Sequence, residues 1–577
     1  MRQPTIALRS MAGAGLALGL LSSCVTVFEP DRQARAPVLD GFGQASMTIS
    51  TRVPEAQRWF SQGLLQTYAF NHKEAVRDFK AALAQDPACA MCAWGVAHAL
   101  GPNINAIERD DLAEARRYLG HARRHLAGAT PRERGLIEAL EARYAPPFAA
   151  ADAKAARDEA PALAAVCSSG GSGRRADPLD VAYALRLRAL VEAYPDDPDL
   201  TTLHAEAVMI ATRVDWWDRT SGIPAGEIGA VTRQLEQGLV RWPDHTGLNH
   251  FLVHAVDASP APDRATRAAD RLGLLAPQSP HLLHMPAHIY VRTGRYADAV
   301  AVNQSALAAE LRQSAAFTAQ GFEPSANWDG HNLHFLWFAA LMQGQGDLAL
   351  AQATRLAERA AKGKSIHAEF MRALPLLTLV RLERWGAVLA QPLPTGDNGI
   401  AAPIAGYARG VALARTGEAA QARASALALR ASIDAPMLAG KTVMGDDPAR
   451  TVLEILAAQL QAEIASADPG ADGVTAQVAL DRAISLEAAL EANEPPLLGG
   501  GSRLALGQLM LRRQRWADAE TAFRGELDKE PGSGWALRGL QQALARHGKA
   551  DEAARVLRDL ERAWPGADAP LRATAAL

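Results

Sequence analysis

The feature that most constrains the fold of this chain is a spacing of 34 residues near its C-terminal end. Ala519 and Ala553 are 34 residues apart, and so are Pro531 and Pro565. A fixed period of this length is typical of repeat architectures, in which each unit buries its apolar face only against its neighbours. The 577 residues of the chain also exceed what one compact core absorbs. The sequence therefore predicts a stack of similar units.

Composition indicates that these units are helical. Apolar residues make up 49% of the chain and charged residues 21%, and the mean hydropathy is -0.08, which is typical of folded globular proteins. Aromatic residues reach only 6%, whereas β-sheets are enriched in aromatic and β-branched residues. The 60 Lys and Arg residues are balanced by 63 Asp and Glu residues. We therefore expect no nucleic-acid partner, because such a partner selects for clustered positive charge.

The period resembles the tetratricopeptide repeat (TPR). The matching residues are Trp59, Gly63, Ala75, Phe79, Ala82 and Pro87 near the N-terminus, and Leu506, Gly507, Ala519, Phe523 and Pro531 near the C-terminus. Residues 294–299 (GRYADA) mark a central unit, and two degenerate units follow it. The resemblance implies an all-α fold in which helix-turn-helix units stack into a right-handed superhelical solenoid with a concave groove. We expect these repeats over residues 51–565.

The N-terminus predicts an exported lipoprotein. Arg2 and Arg9 precede an apolar run at residues 11–21, which is too short to span a bilayer but suits a signal peptide. Residues 21–24 (LSSC) resemble the bacterial lipobox, so Cys24 is the expected lipidation site and mature N-terminus. Val25 rather than Asp follows it, which by the sorting rule of such lipoproteins implies an outer-membrane lipoprotein facing the periplasm. The alternative is an ordinary signal peptide with an incidental cysteine.

Composition along the chain divides it into six segments. Residues 1–23 are the predicted signal peptide, and residues 24–50 are a lipidated tether. Residues 51–145 hold the N-terminal TPR units, and the Gly- and Ser-rich stretch within 146–180 predicts a flexible insertion. Residues 181–465 hold the central, histidine-lined units, and residues 466–577 hold the C-terminal units.

Seven of the fifteen histidines lie between residues 247 and 340. They are His250, His254, His281, His284, His288, His331 and His334. Repeat frames set by Ala, Gly and Pro place all seven at positions 2, 5 and 9 of three successive helices. At about 100° per residue these positions share one face, opposite the packing seam. We therefore expect the seven imidazoles to line the concave groove.

Several imidazoles in one groove predict a transition-metal site. Imidazole suits Zn, Cu, Fe and Ni, and the spacing does not choose among them. Glu206 and Asp257 are candidate carboxylates for the metal or for orienting a ring, and Pro286 is expected to kink its helix toward the site. One alternative is a metal-free scaffold that binds a peptide or an envelope protein. The second alternative is a metal-dependent enzyme, which requires an open coordination position on the metal.

The remaining histidines carry no such prediction. His204 falls on the packing face, so it is expected in the core. Surface positions are expected for His72, His121, His125, His367 and His547.

Cys89 and Cys92 form the other candidate site. An i, i+3 pair outside the cytoplasm predicts a disulfide, since its Cα atoms lie within bonding range. A reactive thiol pair at a helix N-terminus and soft metal ligation remain alternatives. Asp86 is the expected N-cap of that helix. Ala93 follows Cys92, so the motif lacks the histidine of covalent haem attachment. The sequence also lacks P-loop, serine-hydrolase and HExxH motifs, which leaves any enzymatic activity undecided.

Two further motifs point to a narrower family. Residues 89–95 (CAMCAWG) and 284–289 (HMPAHI) resemble segments of exported bacterial TPR lipoproteins. The resemblance extends over most of the chain after Cys24. It implies the fold and the export, and it assigns no activity.

Overall fold

The fold is a succession of α-helices joined by short turns. The computed structural model describes residues 28–44, 46–105, 112–145, 176–212, 216–218, 220–324, 328–392, 399–444, 447–468, 473–490, 495–499 and 501–568. Within these ranges there is no β-strand, only isolated bridges. The predicted all-α solenoid fold is therefore confirmed. The predicted signal peptide with Cys24 and most of the predicted insertion, residues 146–175, lie outside the described residues.

The helices are numbered in chain order. The N-terminal ones are α1 (Pro54–Tyr68), α2 (His72–Gln85), α3 (Ala90–Ala99), α4 (Leu112–Arg124), α5 (Pro131–Arg143), α6 (Pro178–Ala193) and α7 (Pro198–Ala211). The central ones are α8 (Ile228–Arg241), α9 (Thr246–Asp257), α10 (Thr266–Leu275), α11 (Pro280–His284), α12 (Pro286–Arg292), α13 (Tyr296–Ala319), α14 (Asp329–Met342) and α15 (Gly346–Arg359). The remaining ones are α16 (Ile366–Arg381), α17 (Trp385–Ala390), α18 (Ala401–Arg415), α19 (Ala419–Ile433), α20 (Ala449–Ala467), α21 (Gly473–Ala489), α22 (Ser502–Arg512), α23 (Trp516–Lys529), α24 (Gly534–Arg546) and α25 (Ala550–Ala563).

Paired helices approach each other at glycines that face an aromatic ring. A β-carbon at Gly63 would come within 2.9 Å of the Phe79 ring, and one at Gly95, in the next unit, within 2.4 Å. Phe523 occupies the same place in the C-terminal units, where a β-carbon at Gly507 would come within 2.5 Å of its ring. Contacts this short are not tolerated by real side chains, so the repeat requires glycine there.

The C-terminal units fold back onto the middle of the solenoid. The indole of Trp535 donates a hydrogen bond to the Leu341 carbonyl at 2.8 Å, and the indole of Trp564 donates one to the Met342 carbonyl at 2.9 Å. The Asp568 amide donates to the Gly344 carbonyl at 2.9 Å. These contacts join helices that are far apart in sequence. The solenoid is therefore closed on itself between α14 and α25, rather than an open array of neighbours.

Described residues from the predicted tether belong to the folded body. Phe42, Met47 and Ile49 are buried in the main hydrophobic core. The backbone of Gly41 accepts a hydrogen bond from Gln278, 3.0 Å away. Residues 28–44 and 46–50 therefore pack along the solenoid, which differs from the free tether expected for this stretch, because their apolar side chains find a surface to cover.

The Cys89–Cys92 pair opens α3. The two sulfurs form a disulfide, and their Cα atoms are 5.3 Å apart. Cys89 itself is the N-cap, with its sulfur accepting a hydrogen bond from the Cys92 amide. The expected N-cap, Asp86, instead follows the last residue of α2. Helix α3 thus begins three residues later than the Asp-Pro signal indicated.

Among the helices of the described residues, none combines the length and apolar character that a bilayer span requires.

The closure predicts a measurable role for Trp535. Trp535→Phe keeps the aromatic ring but removes the indole donor, which leaves the buried Leu341 carbonyl without that partner. We expect a loss of roughly 1–3 kcal/mol in the free energy of unfolding, measured by urea denaturation.

The control is Trp516→Phe, because the Trp516 indole makes no hydrogen bond in the structure. An equal loss of stability in both variants would contradict the proposed closing role of Trp535.

Candidate metal centre

Four helices of the central units carry the clustered histidines. Helix α9 carries His250 and His254, and α14 carries His331. Between them, the helix that holds the HMPAHI motif is interrupted: α11 ends at His284, and α12 begins at Pro286. Proline has no amide hydrogen to continue the helix. The helix is therefore broken at Pro286, while Met285 between the two parts keeps helical dihedral angles (φ -51°, ψ -37°), and the bend toward the site stays a prediction.

The first histidine trio consists of His250, His254 and His281. One ring nitrogen from each lies within 4.8 Å of those of the other two. The Nε2 atoms of His250 and His254 are only 3.1 Å apart. His281 is 2% exposed, and neither of its ring nitrogens has a hydrogen-bond partner. A buried imidazole without partners is costly, so the trio has unused nitrogen ligands inside the protein.

The second histidine trio consists of His284, His288 and His331. Here too, one ring nitrogen from each histidine lies within 4.8 Å of those of the other two. The Nε2 atoms of His284 and His288 are 3.1 Å apart, and the His331 ring centroid lies 4.6 Å from that of His284. His331 is exposed, whereas the other two are buried. The second trio therefore reaches the surface through one ligand.

Neighbouring acceptors fix the tautomers of the buried rings. His250 Nδ1 lies 2.6 Å from the Tyr68 carbonyl, and His288 Nδ1 lies 2.9 Å from Asp257 Oδ2. Carbonyl and carboxylate oxygens accept hydrogen bonds, so both Nδ1 atoms carry a hydrogen. His284 Nδ1 lies 2.7 Å from the Asn303 Oδ1 atom, whose orientation is set because Asn303 Nδ2 donates to a backbone carbonyl. All three rings thus direct an unprotonated Nε2 inward.

In the second trio this arrangement brings the Nε2 atoms of His284 and His288 to 3.1 Å from each other. When both rings are neutral with the hydrogen on Nδ1, both Nε2 atoms are acceptors. A proton or a metal ion between them removes the repulsion. A metal with ligand distances of about 2.0–2.1 Å bridges such a gap at an angle of roughly 100°, which suits tetrahedral or octahedral coordination.

Burial keeps His250 and His281 uncharged. Desolvation lowers the pKa of His250 to about 3, partly offset by its bond to the Tyr68 carbonyl. Desolvation likewise lowers the pKa of His281 well below its usual range, and the neighbouring histidines lower it further. At neutral pH both rings are therefore in the neutral form, which is the form that binds a metal.

Two aromatic residues that the sequence did not point to cover the first trio. The Phe70 ring centroid lies 4.5 Å from that of His250 and 5.2 Å from that of His281. Trp328 stacks on the other side of His281 at 4.3 Å. Phe70 has a left-handed φ of 56° in the turn after α1, as Glu383 and Gln514 have in the corresponding turns of other units. The backbone conformation therefore belongs to the repeat, and the aromatic side chain is what is particular to this site.

The repeat frame contains a signal for Phe70 and for Asn303. The turn position of Phe70 is occupied by glycine in other units, including Gly294 and Gly344. Asn303 stands where the outer units place Phe79 and Phe523, and it is fully buried. A bulky residue at a glycine position and an amide at an aromatic position both depart from the repeat. Both residues contact the clustered histidines: the Phe70 ring packs on His250, and Asn303 Oδ1 lies beside His284 Nδ1.

The structure brings together six of the seven predicted histidines. His334 instead stacks on Trp337 at 5.4 Å and belongs to neither trio. Asp257 orients His288, which is one of the roles considered for it. Glu206 lies beside His98, with Oε2 3.7 Å from its Nε2, and it belongs to neither trio.

The face that carries the histidines is not an open groove. His250 and His284 are 0% exposed and His281 is 2% exposed, because Phe70 and α14 pack over them. The concave-groove placement of these side chains is therefore corrected: they lie in the interior, where they cannot contact an extended peptide.

Other histidines also differ from expectation. His121 is 3% exposed rather than superficial, and burial lowers the pKa of His72 to about 4. His204 is a core residue as predicted, with Nδ1 bonded to Gln234. His125 is partly exposed, and the rings of His367 and His547 are at the surface.

A cavity of about 140 Å³ adjoins the second trio. His288, Phe335 and Arg292 form part of its wall. Phe335 also packs against the trio, with its ring centroid 4.7 Å from that of His284 and 4.5 Å from that of His288. A cavity of roughly 150 Å³ holds a benzene-sized molecule, so a small ligand has room beside these histidines.

The burial of Glu206 predicts a pH-dependent stability effect. Desolvation raises its pKa to about 7 from 4.5, so above pH 7 the folded protein carries a buried carboxylate. We expect Glu206→Gln to be more stable than the wild type by about 3 kcal/mol near pH 8. As the pH falls from 7 to 4.5, the folded wild type binds a proton before the unfolded chain does. The advantage should therefore vanish by about pH 4.5.

Urea denaturation at several pH values measures this difference. The control is Glu236→Gln, since Glu236 is partly exposed and pairs with Arg264. A Glu206→Gln variant that is less stable at every pH would show that the carboxylate itself is needed.

Known proteins resemble this chain in fold alone. No protein-family model and no curated protein matches the sequence. Similar solved structures include Cut9–Hcn1 of the APC/C (13% identity, 91% of this chain and 96% of that chain, TM-score 0.25) and yeast Tom70 (12%, 91% and 96%, 0.23). Another is the P58(IPK) TPR domain (10%, 86% and 99%, 0.21). Their ligands and partners are not transferable at these identities and TM-scores.

Proposed function

We propose that this protein binds transition-metal ions in two adjacent three-histidine sites. The first site is the first trio, and the second site is the second trio. His254 and His288 connect them, with ring centroids 6.4 Å apart. The donor set is entirely imidazole, which suits Zn, Cu, Fe and Ni.

The observation that carries the proposal is the placement of six imidazoles in two trios, in each of which one ring nitrogen per histidine lies within 4.8 Å of the others. In the first trio, both ring nitrogens of His281 are buried without a hydrogen-bond partner. A metal ion would supply the partner that this buried ring lacks. The orienting bonds to Asn303 and Asp257 are of the kind that metal-binding histidines make.

The cellular location is part of the proposal. The lipobox-like segment at residues 21–24 supports an outer-membrane lipoprotein that faces the periplasm, anchored through Cys24. Anchoring by several acyl chains is stable where one chain is not. Cys24→Ser should give an unlipidated precursor that no longer fractionates with the outer membrane. Unchanged fractionation, with an unchanged N-terminal mass, would refute the anchor.

A metal-dependent enzyme is the second candidate. Three nitrogen ligands leave a coordination position for water or substrate, as in catalytic zinc sites. The cavity of about 140 Å³ against His288 supplies space for a small substrate. Screening the metal-loaded protein for hydrolase and oxidoreductase activity separates this candidate from storage or transfer of the metal.

The peptide scaffold remains the metal-free alternative. Its expected surface, the histidine face, is covered by Phe70 and Trp328. A peptide partner would therefore bind elsewhere on the solenoid. Absence of metal binding would favour this alternative.

Metal stoichiometry tests the proposal without disturbing the core. His331 is exposed and His254 is partly exposed, so glutamine at either position removes a ligand at small cost to folding. We expect two ions per wild-type chain, one per chain in His254→Gln and in His331→Gln, and none in the double variant. Elemental analysis and calorimetric titration with Zn²⁺, Cu²⁺ and Ni²⁺ measure these numbers.

His367→Gln is the matched control, because His367 is exposed and lies in neither trio. It should retain both ions, and circular dichroism should show unchanged helicity in all variants. A wild-type chain that binds no metal more tightly than about 1 µM would overturn the proposal. Full occupancy in the double variant would overturn it as well.

A further inference from the structure

A phenylalanine ring covers one face of each histidine trio. The Phe70 ring centroid lies 4.5, 5.3 and 5.2 Å from the three imidazole centroids of the first trio, taken in chain order. The Phe335 ring centroid lies 4.7, 4.5 and 5.0 Å from those of the second trio. Each phenyl ring is therefore nearly equidistant from the three imidazoles that it covers.

This placement bears on the number of ligands that a metal ion finds. In a tetrahedral site with three protein nitrogens, the fourth ligand lies on the axis that is equidistant from the three. A phenyl ring on that axis offers no lone pair and occupies the space of a water molecule. In the first trio, Trp328 also stacks on the other side of His281 at 4.3 Å. The trios therefore favour an ion that is satisfied by three nitrogen donors.

The common divalent ions require more than three donors. Zn²⁺ is almost always four-coordinate, and Cu²⁺ and Ni²⁺ prefer square-planar or tetragonal sites. Cu⁺ has a filled d shell and accepts three donors. The face of an aromatic ring also attracts a cation. Three imidazoles under a phenyl ring thus suit Cu⁺ better than these divalent ions.

The charge of the surroundings favours the same ion. All six donors are neutral imidazoles, and two of them are oriented by neutral groups, the Tyr68 carbonyl and the Asn303 amide. A third is oriented by Asp257, whose Oδ1 atom lies 3.6 Å from Arg292 Nε, so its charge is shared with that arginine. The cost of removing an ion from water rises with the square of its charge, so a univalent ion costs about a quarter as much as a divalent one of the same size.

We propose that the two trios select univalent copper, Cu⁺, over divalent transition-metal ions, with three imidazole nitrogens as donors and a phenyl ring as the cap of each site. This inference rests on the proposed metal-binding function and names the ion that the sites take. His331 is exposed and His254 is partly exposed, so each site has one ligand that an incoming ion can reach.

An anaerobic competition titration tests this preference on unaltered trios. The full chain carries Cys24→Ser and Cys167→Ser, so that no thiol outside the Cys89–Cys92 disulfide competes for the ion. Ascorbate keeps the copper reduced, and a coloured Cu⁺ chelator reports the free ion. We expect two Cu⁺ per chain, bound at least about 100-fold more tightly than Zn²⁺. Ag⁺, an air-stable ion of the same charge, should occupy the same two sites.

Replacing each phenyl cap tests its role. Phe70→Leu is made together with His331→Gln, so that only the first site remains, and Phe335→Leu is made together with His254→Gln, so that only the second remains. The preference for Cu⁺ over Zn²⁺ should fall at least roughly tenfold in each case, because water gains room as a fourth ligand and the contact of the cation with the ring is lost.

Phe338→Leu is the control in both backgrounds. Phe338 is fully buried in α14 like Phe335, but its ring packs on Tyr296 and Trp337. It should keep the full preference for Cu⁺. X-ray absorption of the Cu⁺-loaded chain gives a second readout, in which we expect three nitrogen donors and no fourth nitrogen or oxygen donor.

The outcomes separate this inference from the proposed function. Two Zn²⁺ per chain that neither Cu⁺ nor Ag⁺ displaces would overturn the preference and leave metal binding intact, and this result does not depend on how any cap variant folds. A fourth nitrogen or oxygen donor on Cu⁺, or an unchanged preference in both cap variants, would overturn the role of the phenyl rings. A chain that binds none of these ions would overturn the proposed function and this inference with it.

Discussion

The close approach of paired helices is the constraint on which the rest of the structure depends. At Gly63, Gly95 and Gly507 an aromatic ring occupies the place of a β-carbon. This contact sets the distance between helices and therefore the rotation from one unit to the next. Where the central unit replaces the aromatic residue by Asn303, the same buried position presents an amide oxygen to His284. A packing position of an ordinary repeat thus orients one of the clustered histidines.

Closure of the solenoid covers its concave side. The indoles of Trp535 and Trp564 donate to the carbonyls of Leu341 and Met342, which joins helices separated by about two hundred residues. At the other end, Tyr68 accepts the hydrogen bond of His250. A surface that in an open array would meet a partner becomes an interior. Polar groups in that interior must find partners within the chain or in a ligand, because water no longer solvates them.

The interior contains two regions of opposite chemistry. The histidine trios offer neutral nitrogen donors, whereas a cavity among the C-terminal helices offers guanidinium groups and an indole face. Leu498 and Gly501 line both the cavity beside His288 and the cavity lined by Arg381 and Trp535, so the two cavities are adjacent. Neutral imidazoles can bind a metal cation, whereas guanidinium groups are themselves cations, so the two regions favour ligands of opposite charge.

The sequence by itself determined the helical repeat, the break at Pro286 and the grouping of the histidines, because these follow from local spacing along single helices. Only the tertiary structure decided that six of the histidines form two trios and that four of these six are buried. It also decided that Phe70 and Trp328 enclose His281, and that Arg381 faces a cavity. The reason is that helical periodicity assigns a residue to a face of its own helix. What covers that face depends on long-range contacts, which the closing tryptophans establish between distant units.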